Sequence, residues 1–317
     1  MVFGPVPSRR LGQSLGINNI PPKICSYSCV YCQIGRTARM QIKRERFYDP
    51  EGIAEEVETR VKELREDGER VDYLTFVPDG EPTLDVNLGR EIDLLKPIGV
   101  RVAVITNASL IWNPDVREDL SKADWVSLKV DAATEGVWRR INRPYGALKL
   151  EAISEGMRRF SEEFEGVLAT ETMMVRGVND GEDEIERIAD RLSSISPDIS
   201  YISIPIRPPA EGWVEPPEEE SINMAYQIFS DRGLKVEYLI GYEGNAFAFT
   251  GDIREDLLSI TAVHPMKEEG VNELLRKAHA GWDVVRELVE GGKLVELEYE
   301  GGRFYMRKLP GVGRGGS

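Results

Sequence analysis

Residues 25–32 read CSYSCVYC and contain all three cysteines of a 317-residue chain. An odd number of thiols within eight positions leaves any disulfide scheme with an unpaired cysteine, so the spacing favours a set of metal or cluster ligands. Thiolates hold iron–sulfur clusters, and C-x3-C-x2-C supplies three of them on one short loop. We therefore predict that Cys25, Cys29 and Cys32 bind an iron–sulfur cluster.

The sequence offers no obvious fourth ligand, because its two histidines, His264 and His279, lie far from the cysteines. An iron with an open coordination position can bind and orient a small molecule. A structural zinc site and a plain electron-transfer cluster are the alternatives. Each of them normally uses four protein ligands, so both are weaker interpretations.

Apolar, β-branched segments alternate with amphipathic helical segments after the cysteines, which is typical of an α/β fold with a parallel sheet. The pattern predicts a partial (β/α)6 barrel, whose chemistry lies at the carboxyl ends of the strands. The predicted strands are near 14–19, 73–77, 100–106, 125–131, 166–175 and 201–206. The predicted helices are near 50–66, 113–121, 147–163 and 182–195.

Beyond the barrel, the proline-rich segment 208–217 marks a boundary, so residues 1–215 form the first predicted domain. Residues 216–252 contain a predicted helix (218–232) and strand (234–241) that form an extra layer on the barrel. Residues 253–317 contain predicted helices near 267–280 and 281–291 and a glycine-turned hairpin. This pattern suggests a small winged-helix-like α+β module, followed by a flexible tail at 311–317.

The net charge is −15, which disfavours general binding of nucleic acids. Residues 1–50 nevertheless hold eight basic and two acidic residues, a net of +6. This segment is either a basic mouth that attracts an anionic substrate or an acidic electron donor, or a mixed solvated surface. Residues 252–317 carry ten basic and twelve acidic residues, a poor surface for DNA, so this module docks a peptide or protein, or simply packs on the barrel.

No apolar run is long enough to span a membrane, and the N-terminus lacks a secretory signal. We expect a soluble, cytoplasmic protein that makes no membrane contact.

The cysteine spacing, with an aromatic residue before the third cysteine, resembles the signature of radical S-adenosylmethionine (SAM) enzymes. The segments GPVPSRRLGQSLGINNIPPKICSYSCVYCQIGRT, DGEPTL, VITNASLIW, DAATEGVWRRINRP and IPIRPPAEGW are similar to short, single-cluster radical SAM proteins related to wyosine synthase. The resemblance covers residues 4–215. It implies that SAM chelates the open iron of a 4Fe-4S cluster. It also implies that one electron then cleaves SAM to methionine and a 5′-deoxyadenosyl radical, which abstracts hydrogen from a substrate.

The resemblance also implies which residues bind SAM. Asp79, Gly80, Glu81 and Pro82 match the family segment that meets the methionyl ammonium, although Asp79 replaces a glycine. Residues that follow the third strand or alternate along the fourth resemble the contacts to ribose and carboxylate: Thr106, Asn107, Ser109, Ser127, Lys129 and Asp131. Lys129 either neutralises the methionyl carboxylate, serves the substrate, or pairs with Asp131. Tyr31 would lie beside the adenine.

The chain lacks the additional cysteines of wyosine synthase, so the pyruvate-dependent reaction on tRNA is not implied. The substrate is open among a small molecule, a peptide or protein recruited by the C-terminal module, and an RNA nucleotide. No residue is assigned to substrate chemistry. The resemblance implies an electron donor such as flavodoxin or ferredoxin. Two other hypotheses are an iron–sulfur redox-sensing regulator with a C-terminal DNA-binding winged helix, and a ferredoxin-like carrier.

Overall fold

A computed structural model describes residues 1–239, 249, 251–263, 265–299 and 301–308. His264 and the predicted tail at 311–317 lie outside these residues, as does the end of the predicted strand 234–241. Within the described ranges, no helix combines the length and apolarity needed to cross a membrane.

The helices of the described chain are α1 (Pro50–Glu66), α2 (Leu88–Leu95), α3 (Pro114–Leu120), α4 (Glu135–Ile141), α5 (Leu150–Glu163), α6 (Glu182–Ile195), α7 (Glu219–Asp231), α8 (Ile253–Val263), α9 (Glu268–Lys277) and α10 (Asp283–Glu290). The strands are β1 (Val2–Ser8), β2 (Gly12–Ile17), β3 (Ile24–Cys25), β4 (Arg39–Met40), β5 (Tyr73–Phe76), β6 (Arg101–Thr106), β7 (Trp125–Lys129), β8 (Val167–Met173), β9 (Ile199–Ser203), β10 (Val236–Leu239), β11 (Met266–Lys267), β12 (Leu294–Tyr299) and β13 (Gly302–Arg307).

Eight strands form a curled half-barrel sheet in the order β1-β2-β5-β6-β7-β8-β9-β10. Strands β2 and β5 to β9 are the six predicted strands, and each pairs in parallel with its neighbour. The predicted α/β class and partial barrel are therefore confirmed. Because these strands are parallel, their carboxyl ends open on one edge of the sheet.

The sheet extends beyond the prediction at both ends. Strand β1 pairs antiparallel with β2, and it was not predicted because Pro5 and Pro7 interrupt the pattern; an edge strand tolerates proline. Strand β10 was predicted as an extra layer, but it pairs in parallel with β9 in the same sheet. The preceding helix α7 supplies the usual crossover for such a pairing.

Both faces of the sheet are buried. The outer face packs under the helices through side chains such as Leu74, Val104 and Leu128. The inner face holds a separate apolar cluster that includes Ala103, Trp125, Ala169, Ile199 and Tyr201, together with Leu11 from the turn after β1. This cluster fills the amino-terminal part of the half-barrel, and the charged pair of the inner face, Lys129 and Glu171, lies toward the carboxyl ends of the strands.

The C-terminal segment has its own apolar core, formed by residues such as Leu257, Met266, Leu274 and Tyr305. Its strands form an antiparallel sheet in the order β11-β13-β12. Helices α9 and α10 and the hairpin β12–β13 occur where they were predicted, whereas α8 was missed. The segment packs on the barrel through α8 and β1, where Val6 joins the core. The winged-helix assignment and the three domain boundaries stay predictions.

A substitution at Gly156 can test how closely α5 packs against the loop after β6. A methyl group on Gly156 would lie 2.7 Å from the backbone carbon and oxygen of Ile111. We expect Gly156→Ala to lower the free energy of unfolding by about 1–3 kcal/mol, because overpacking against backbone outweighs the gain in helix propensity. Urea denaturation measures the change.

Gly136 in helix α4 is the matched control, because a methyl group there meets no atom within 4 Å. Gly136→Ala should raise the free energy of unfolding by roughly 0.5–1 kcal/mol, as alanine normally does in a helix. Equal effects of the two substitutions would show that the loop does not constrain α5.

Candidate functional site

The cysteine loop is joined to the loop after β5 by backbone hydrogen bonds. The Lys23 N–H donates to the Asp79 carbonyl at 2.6 Å, and the Glu81 N–H donates to the Ile24 carbonyl at 3.1 Å. Between these bonds, a Cβ on Gly80 would lie 2.0 Å from the Ile24 carbonyl oxygen, so only glycine permits this approach. The loop therefore lies directly over the carboxyl end of β5.

The other side of the cysteine loop is bonded to the chain after α4. The Ser28 N–H donates to the Asn142 carbonyl at 3.0 Å, and the Val30 N–H donates to the Ile141 carbonyl at 2.9 Å. Two side-chain amides approach the thiols, one from the loop after β6 and one from the end of α4. The Asn107 amide lies 3.4 Å from Cys25 Sγ, and the Asn142 amide lies 3.4 Å from Cys29 Sγ.

The three thiols are half-buried and unbonded to one another. Burial raises the pKa of each of them, that of Cys29 to about 12, so metal binding must displace their protons. Among the described residues, no three His, Cys, Asp or Glu side chains converge on a point that would hold one metal ion. A cubane cluster needs no such point, because each thiolate binds a different iron. The donor set therefore fits a cluster with three thiolate ligands.

Glu81 is buried and accepts four hydrogen bonds from the protein. Its Oε1 accepts from the Thr83 N–H at 3.0 Å and from the Thr83 and Thr106 hydroxyls, each at 2.6 Å. Its Oε2 accepts from the Asn107 N–H at 2.8 Å. Burial raises the pKa of Glu81, and these donors partly oppose that shift. The Glu81 carboxylate thus links the end of β5 to the end of β6. The family resemblance had assigned this segment to the ammonium of SAM.

Asp79 and Lys23 are buried groups of opposite charge beside the cysteines. Within the described residues, neither Asp79 Oδ1 nor Lys23 Nζ has a hydrogen-bond partner. Burial raises the pKa of Asp79 to about 7, although Lys23 and Arg307 of β13 lower it. Burial lowers the pKa of Lys23, whereas Cys32 and Asp79 raise it. Buried charges without hydrogen bonds are costly, so this pair fits the zwitterionic end of a bound amino acid.

Half-buried Tyr31 and buried Asp131 and Asn142 form a hydrogen-bonded group beside Cys29. The Tyr31 hydroxyl donates to Asp131 Oδ2, and the Asn142 amide donates to the same oxygen at 2.7 Å. The Met173 N–H donates to Asp131 Oδ1 at 2.8 Å. Burial raises the pKa of Asp131, and Lys129 and these donors oppose it. The predicted place of Tyr31 beside adenine stays a prediction.

Lys129 pairs with Glu171 rather than with Asp131. Its Nζ lies 2.6 Å from Glu171 Oε1 and 5.3 Å from the centre of the Tyr31 ring. Arg10 binds the other oxygen, Glu171 Oε2, at 2.6 Å. Burial alone would raise the pKa of Glu171, but Lys129 and Arg10 outweigh it and hold the value at about 2. The ion pairs span the inside of the half-barrel, from the turn after β1 to the end of β7.

The remaining predicted residues lie around this centre. Pro82 begins a short 3-10 turn, and its carbonyl accepts from the Asn19 amide at 3.3 Å. The hydroxyls of Ser109 and Ser26 are 2.5 Å apart, which links the loop after β6 to the cysteine loop. Ser127 is buried on the inner face of β7, two residues before Lys129.

Sequence reasoning missed four residues of this centre: Lys23, Asn142, Glu171 and Arg10. Lys23 is close to Cys25 in sequence, but nothing indicated that its ammonium is buried. Glu171 occupies an inner-face position of β8, yet its register beside Lys129 appears only in the folded sheet. Asn142 lies in the family-like segment DAATEGVWRRINRP, but its approach to Cys29 appears only in the folded chain.

The basic mouth predicted for residues 1–50 is smaller than its charge count suggests. Lys23 is buried beside Asp79. The side chains of Arg10 and Arg44 are largely buried in ion pairs with Glu171 and Asp119. Arg36 and Arg39 keep exposed side chains but also pair with acids, Glu211 and Glu45. Acidic partners thus neutralise much of this charge.

Comparisons with known proteins agree with this architecture. Residues 19–192 match the family model of the Radical SAM superfamily. The chain is 48% identical over 311 residues to UPF0026 protein MJ1312 of Methanocaldococcus jannaschii, which covers 98% of this chain and 96% of the relative. A radical SAM methyltransferase from Sphaerobacter thermophilus has a similar fold (TM-score 0.55, 16% identity, 72% of this chain and 66% of that chain). TYW1 with a bound lysine-pyruvate adduct is also similar in fold (TM-score 0.50, 18% identity, 69% and 73%).

The Lys129–Glu171–Arg10 network yields a pH-dependent prediction for the cluster-free protein. Glu171→Gln leaves two buried cations without their carboxylate, which should lower the free energy of unfolding at pH 7 by about 3–5 kcal/mol. The ordinary pKa of glutamate is 4.5, and folding depresses that of Glu171 to about 2. The difference in free energy of unfolding between the parent and Glu171→Gln is therefore complete above pH 4.5 and is lost as the pH falls toward 2. Chemical denaturation across this range measures it.

Glu155 is the matched control, because the pKa of this exposed carboxyl is also lowered to about 2, by Arg158 and Arg159. Exposed ion pairs contribute little to stability, so Glu155→Gln should change unfolding only slightly at any pH. A loss in Glu155→Gln as large as that in Glu171→Gln would show that burial is not the cause.

Proposed function

Because this chain belongs to the radical SAM superfamily, we propose that it is an enzyme whose 4Fe-4S cluster, on Cys25, Cys29 and Cys32, cleaves SAM reductively. When bound, the cluster supplies one electron to the sulfonium of SAM, which yields the radical that takes hydrogen from a substrate. The protein's own tasks are to hold the thiolates, orient SAM and exclude water. The observation that carries the proposal is the position of the three thiols over the carboxyl ends of the strands, in a chain without a fourth cysteine.

Asp79 and Lys23 are the residues that we assign to the methionyl end of SAM. Their buried carboxylate and ammonium have no hydrogen-bond partners within the described chain. The ammonium of SAM would therefore bind Asp79, and its carboxylate would bind Lys23, so each charge gains the partner that burial denies it. Glu81, with both oxygens occupied, would hold the ends of β5 and β6 in place for this contact.

Lys129 and Tyr31 are assigned to the inner side of the site. The Glu171 and Asp131 carboxylates fix the Lys129 ammonium and the Tyr31 hydroxyl, so both side chains are held before any ligand enters. Such preorganisation lowers the entropy cost of binding. We assign Tyr31 and Asp131 to the nucleoside of SAM. Thr106 and Asn107 then act through Glu81 and Cys25 rather than through ribose.

The electron for this reaction would come from a small carrier such as flavodoxin or ferredoxin. The proposal places the protein in the cytoplasm, where such carriers are available, and leaves the substrate open.

The first test is assembly of the cluster. Anaerobic reconstitution should load about four irons and four sulfides per chain, because three thiolates on one loop hold a single cubane. With dithionite and SAM, the loaded protein should produce 5′-deoxyadenosine. Replacing any one of Cys25, Cys29 or Cys32 by alanine should abolish this product. A single variant that retains the parent rate, or stable loading of zinc alone, would contradict the proposal.

The second test separates the two acids of the loop after β5. Asp79→Asn should weaken SAM binding by roughly ten- to a hundredfold, the loss of one charge-assisted hydrogen bond, while cluster loading stays normal. Glu81→Gln should instead lower thermal stability and cluster loading, because it disturbs four internal hydrogen bonds. Equilibrium dialysis, iron analysis and thermal melts measure the three quantities.

Lys23→Met provides the complementary variant. It should weaken SAM binding but have little effect on binding of decarboxylated SAM, which lacks the group that Lys23 would bind. If Asp79→Asn and Lys23→Met both bound SAM with the parent affinity, the assignment of the methionyl end would be wrong.

A further inference from the structure

Two acidic residues close to the loop after β5 are buried, although the proposed chemistry uses neither of them. Asp85 follows the 3-10 turn Pro82–Leu84, and Glu91 lies in helix α2. Their exposed fractions are 0% and 1%. The two carboxyl groups lie within hydrogen-bonding reach of each other. Two adjacent buried carboxylates repel each other strongly, so this arrangement needs a proton or a cation.

The hydrogen bonds of the two acids are complementary. Asp85 Oδ1 accepts from the Asn87 N–H at 2.8 Å, and Glu91 Oε2 accepts from the Asn19 amide at 3.2 Å. The other two oxygens, Asp85 Oδ2 and Glu91 Oε1, have no donor among the residues that the structure describes. A carboxylate only accepts hydrogen bonds, whereas a protonated carboxyl also donates one. A single proton on either acid therefore gives both of these oxygens a partner.

The charged groups around the pair do not supply that partner. Arg44, from the segment after β4, donates to the Asp85 carbonyl at 2.7 Å and to the Asp119 carboxylate of α3. Lys122 pairs with exposed Asp93 at 2.6 Å. Helix α1 also packs on α2, but its buried side chains are all apolar. One guanidinium thus faces three carboxyl groups, those of the pair and that of Asp119.

The proton belongs on Glu91 rather than on Asp85. Burial, followed by the charge of Asp85, raises the pKa of Glu91, and the Asn19 amide opposes the shift only in part. Burial also raises the pKa of Asp85, but the Asn87 N–H and the Arg44 guanidinium oppose that shift. Asp85 therefore keeps the negative charge, and Glu91 donates a hydrogen bond to it.

Asn19 links this pair to the loop after β5. Its amide donates both to Glu91 Oε2 and to the Pro82 carbonyl, the latter at 3.3 Å. The preceding residue, Asn18, accepts from the Asp79 N–H at 2.9 Å through its Oδ1. The chain after β2 thus holds the loop at two points, and Glu91 fixes the orientation of the amide at one of them.

We propose that Glu91 and Asp85 share one buried proton at neutral pH, and that this pair positions the loop that carries Asp79. The positioning role rests on the proposed binding of SAM by that loop, and the pair acts through Asn19 without touching the ligand. A bound cation is the competing occupant, because Asn19 Oδ1 is a third buried oxygen without a partner in the described chain. Within the same residues, however, no three His, Cys, Asp or Glu side chains converge as ligands of one metal ion.

Thermal melts of the cluster-loaded full-length protein test the proton. An unfolded Glu91 releases its proton above the ordinary pKa of 4.5, whereas the folded residue keeps it. This group therefore lowers the stability of the parent as the pH rises above 4.5, and Glu91→Gln has no proton to release. The melting temperature of Glu91→Gln minus that of the parent should grow by roughly 2–4 °C per pH unit between about pH 5.5 and 8.

Asp93→Asn is the matched control, because it removes an exposed carboxylate from the same helix. The difference in melting temperature between this variant and the parent should not change with pH. A difference for Glu91→Gln that is likewise independent of pH would overturn the proposal. So would Mg²⁺ or Ca²⁺ that raised the melting temperature of the parent but not that of Glu91→Gln, because a cation would then replace the proton.

Equilibrium dialysis of SAM against the same cluster-loaded proteins tests the positioning role. Glu91→Ala should bind SAM roughly three- to tenfold more weakly than the parent, the effect of losing one hydrogen bond that fixes Asn19. Glu91→Gln should keep the parent affinity, since its amide can donate to Asp85 and accept from Asn19. If Glu91→Ala does not fold, Asn19→Ser removes the same link and should weaken SAM binding to a similar extent.

Equal affinity of the parent and a folded Glu91→Ala would refute the positioning role. A parent that bound no SAM would instead contradict the proposed function, and the melts would still decide whether the pair holds a proton.

Discussion

Backbone pairing between the cysteine loop and two neighbouring segments is the constraint on which the rest of the site depends. On one side, Lys23 and Ile24 of the loop bond to the backbone of Asp79 and Glu81. On the other side, the loop donates to the carbonyls of Ile141 and Asn142. Gly80 makes the first contact possible, because any side chain there would collide with the Ile24 carbonyl. Three thiols are thereby fixed over the open edge of a parallel sheet, where the loops of such barrels carry chemistry.

Buried charge is distributed in two ways around those thiols. Glu81 and Glu171 are surrounded by donors or cations, and they join neighbouring strands and the two sides of the half-barrel. Asp79 and Lys23 are equally buried but lack hydrogen-bond partners within the described chain. A satisfied buried carboxylate stabilises a fold, whereas an unsatisfied one is costly unless a ligand binds it. This difference separates the framework of the site from its proposed ligand contacts.

The C-terminal segment packs against the barrel close to the cysteine loop. Its core includes Val6 of β1, and Arg307 of β13 lies close enough to Asp79 to lower the pKa of that carboxyl. Its edge strand β12 borders the chain just after Cys32.

The sequence by itself determined the α/β class, six parallel strands, the position of the cysteine loop and the loops that surround it, because hydrophobic periodicity and ligand spacing are local. It did not determine which acid is satisfied: Glu81 matched a ligand motif, yet Thr83, Thr106 and Asn107 occupy its oxygens. It left Lys129 open among the methionyl carboxylate, the substrate and nearby Asp131, whereas sheet register pairs Lys129 with Glu171 and the barrel adds Arg10. It also did not predict that β1 pairs with β2 or that β10 pairs with β9, because strand pairing depends on distant segments. Only tertiary structure decided these features, because desolvation and hydrogen bonding depend on residues that are distant in sequence and adjacent in space.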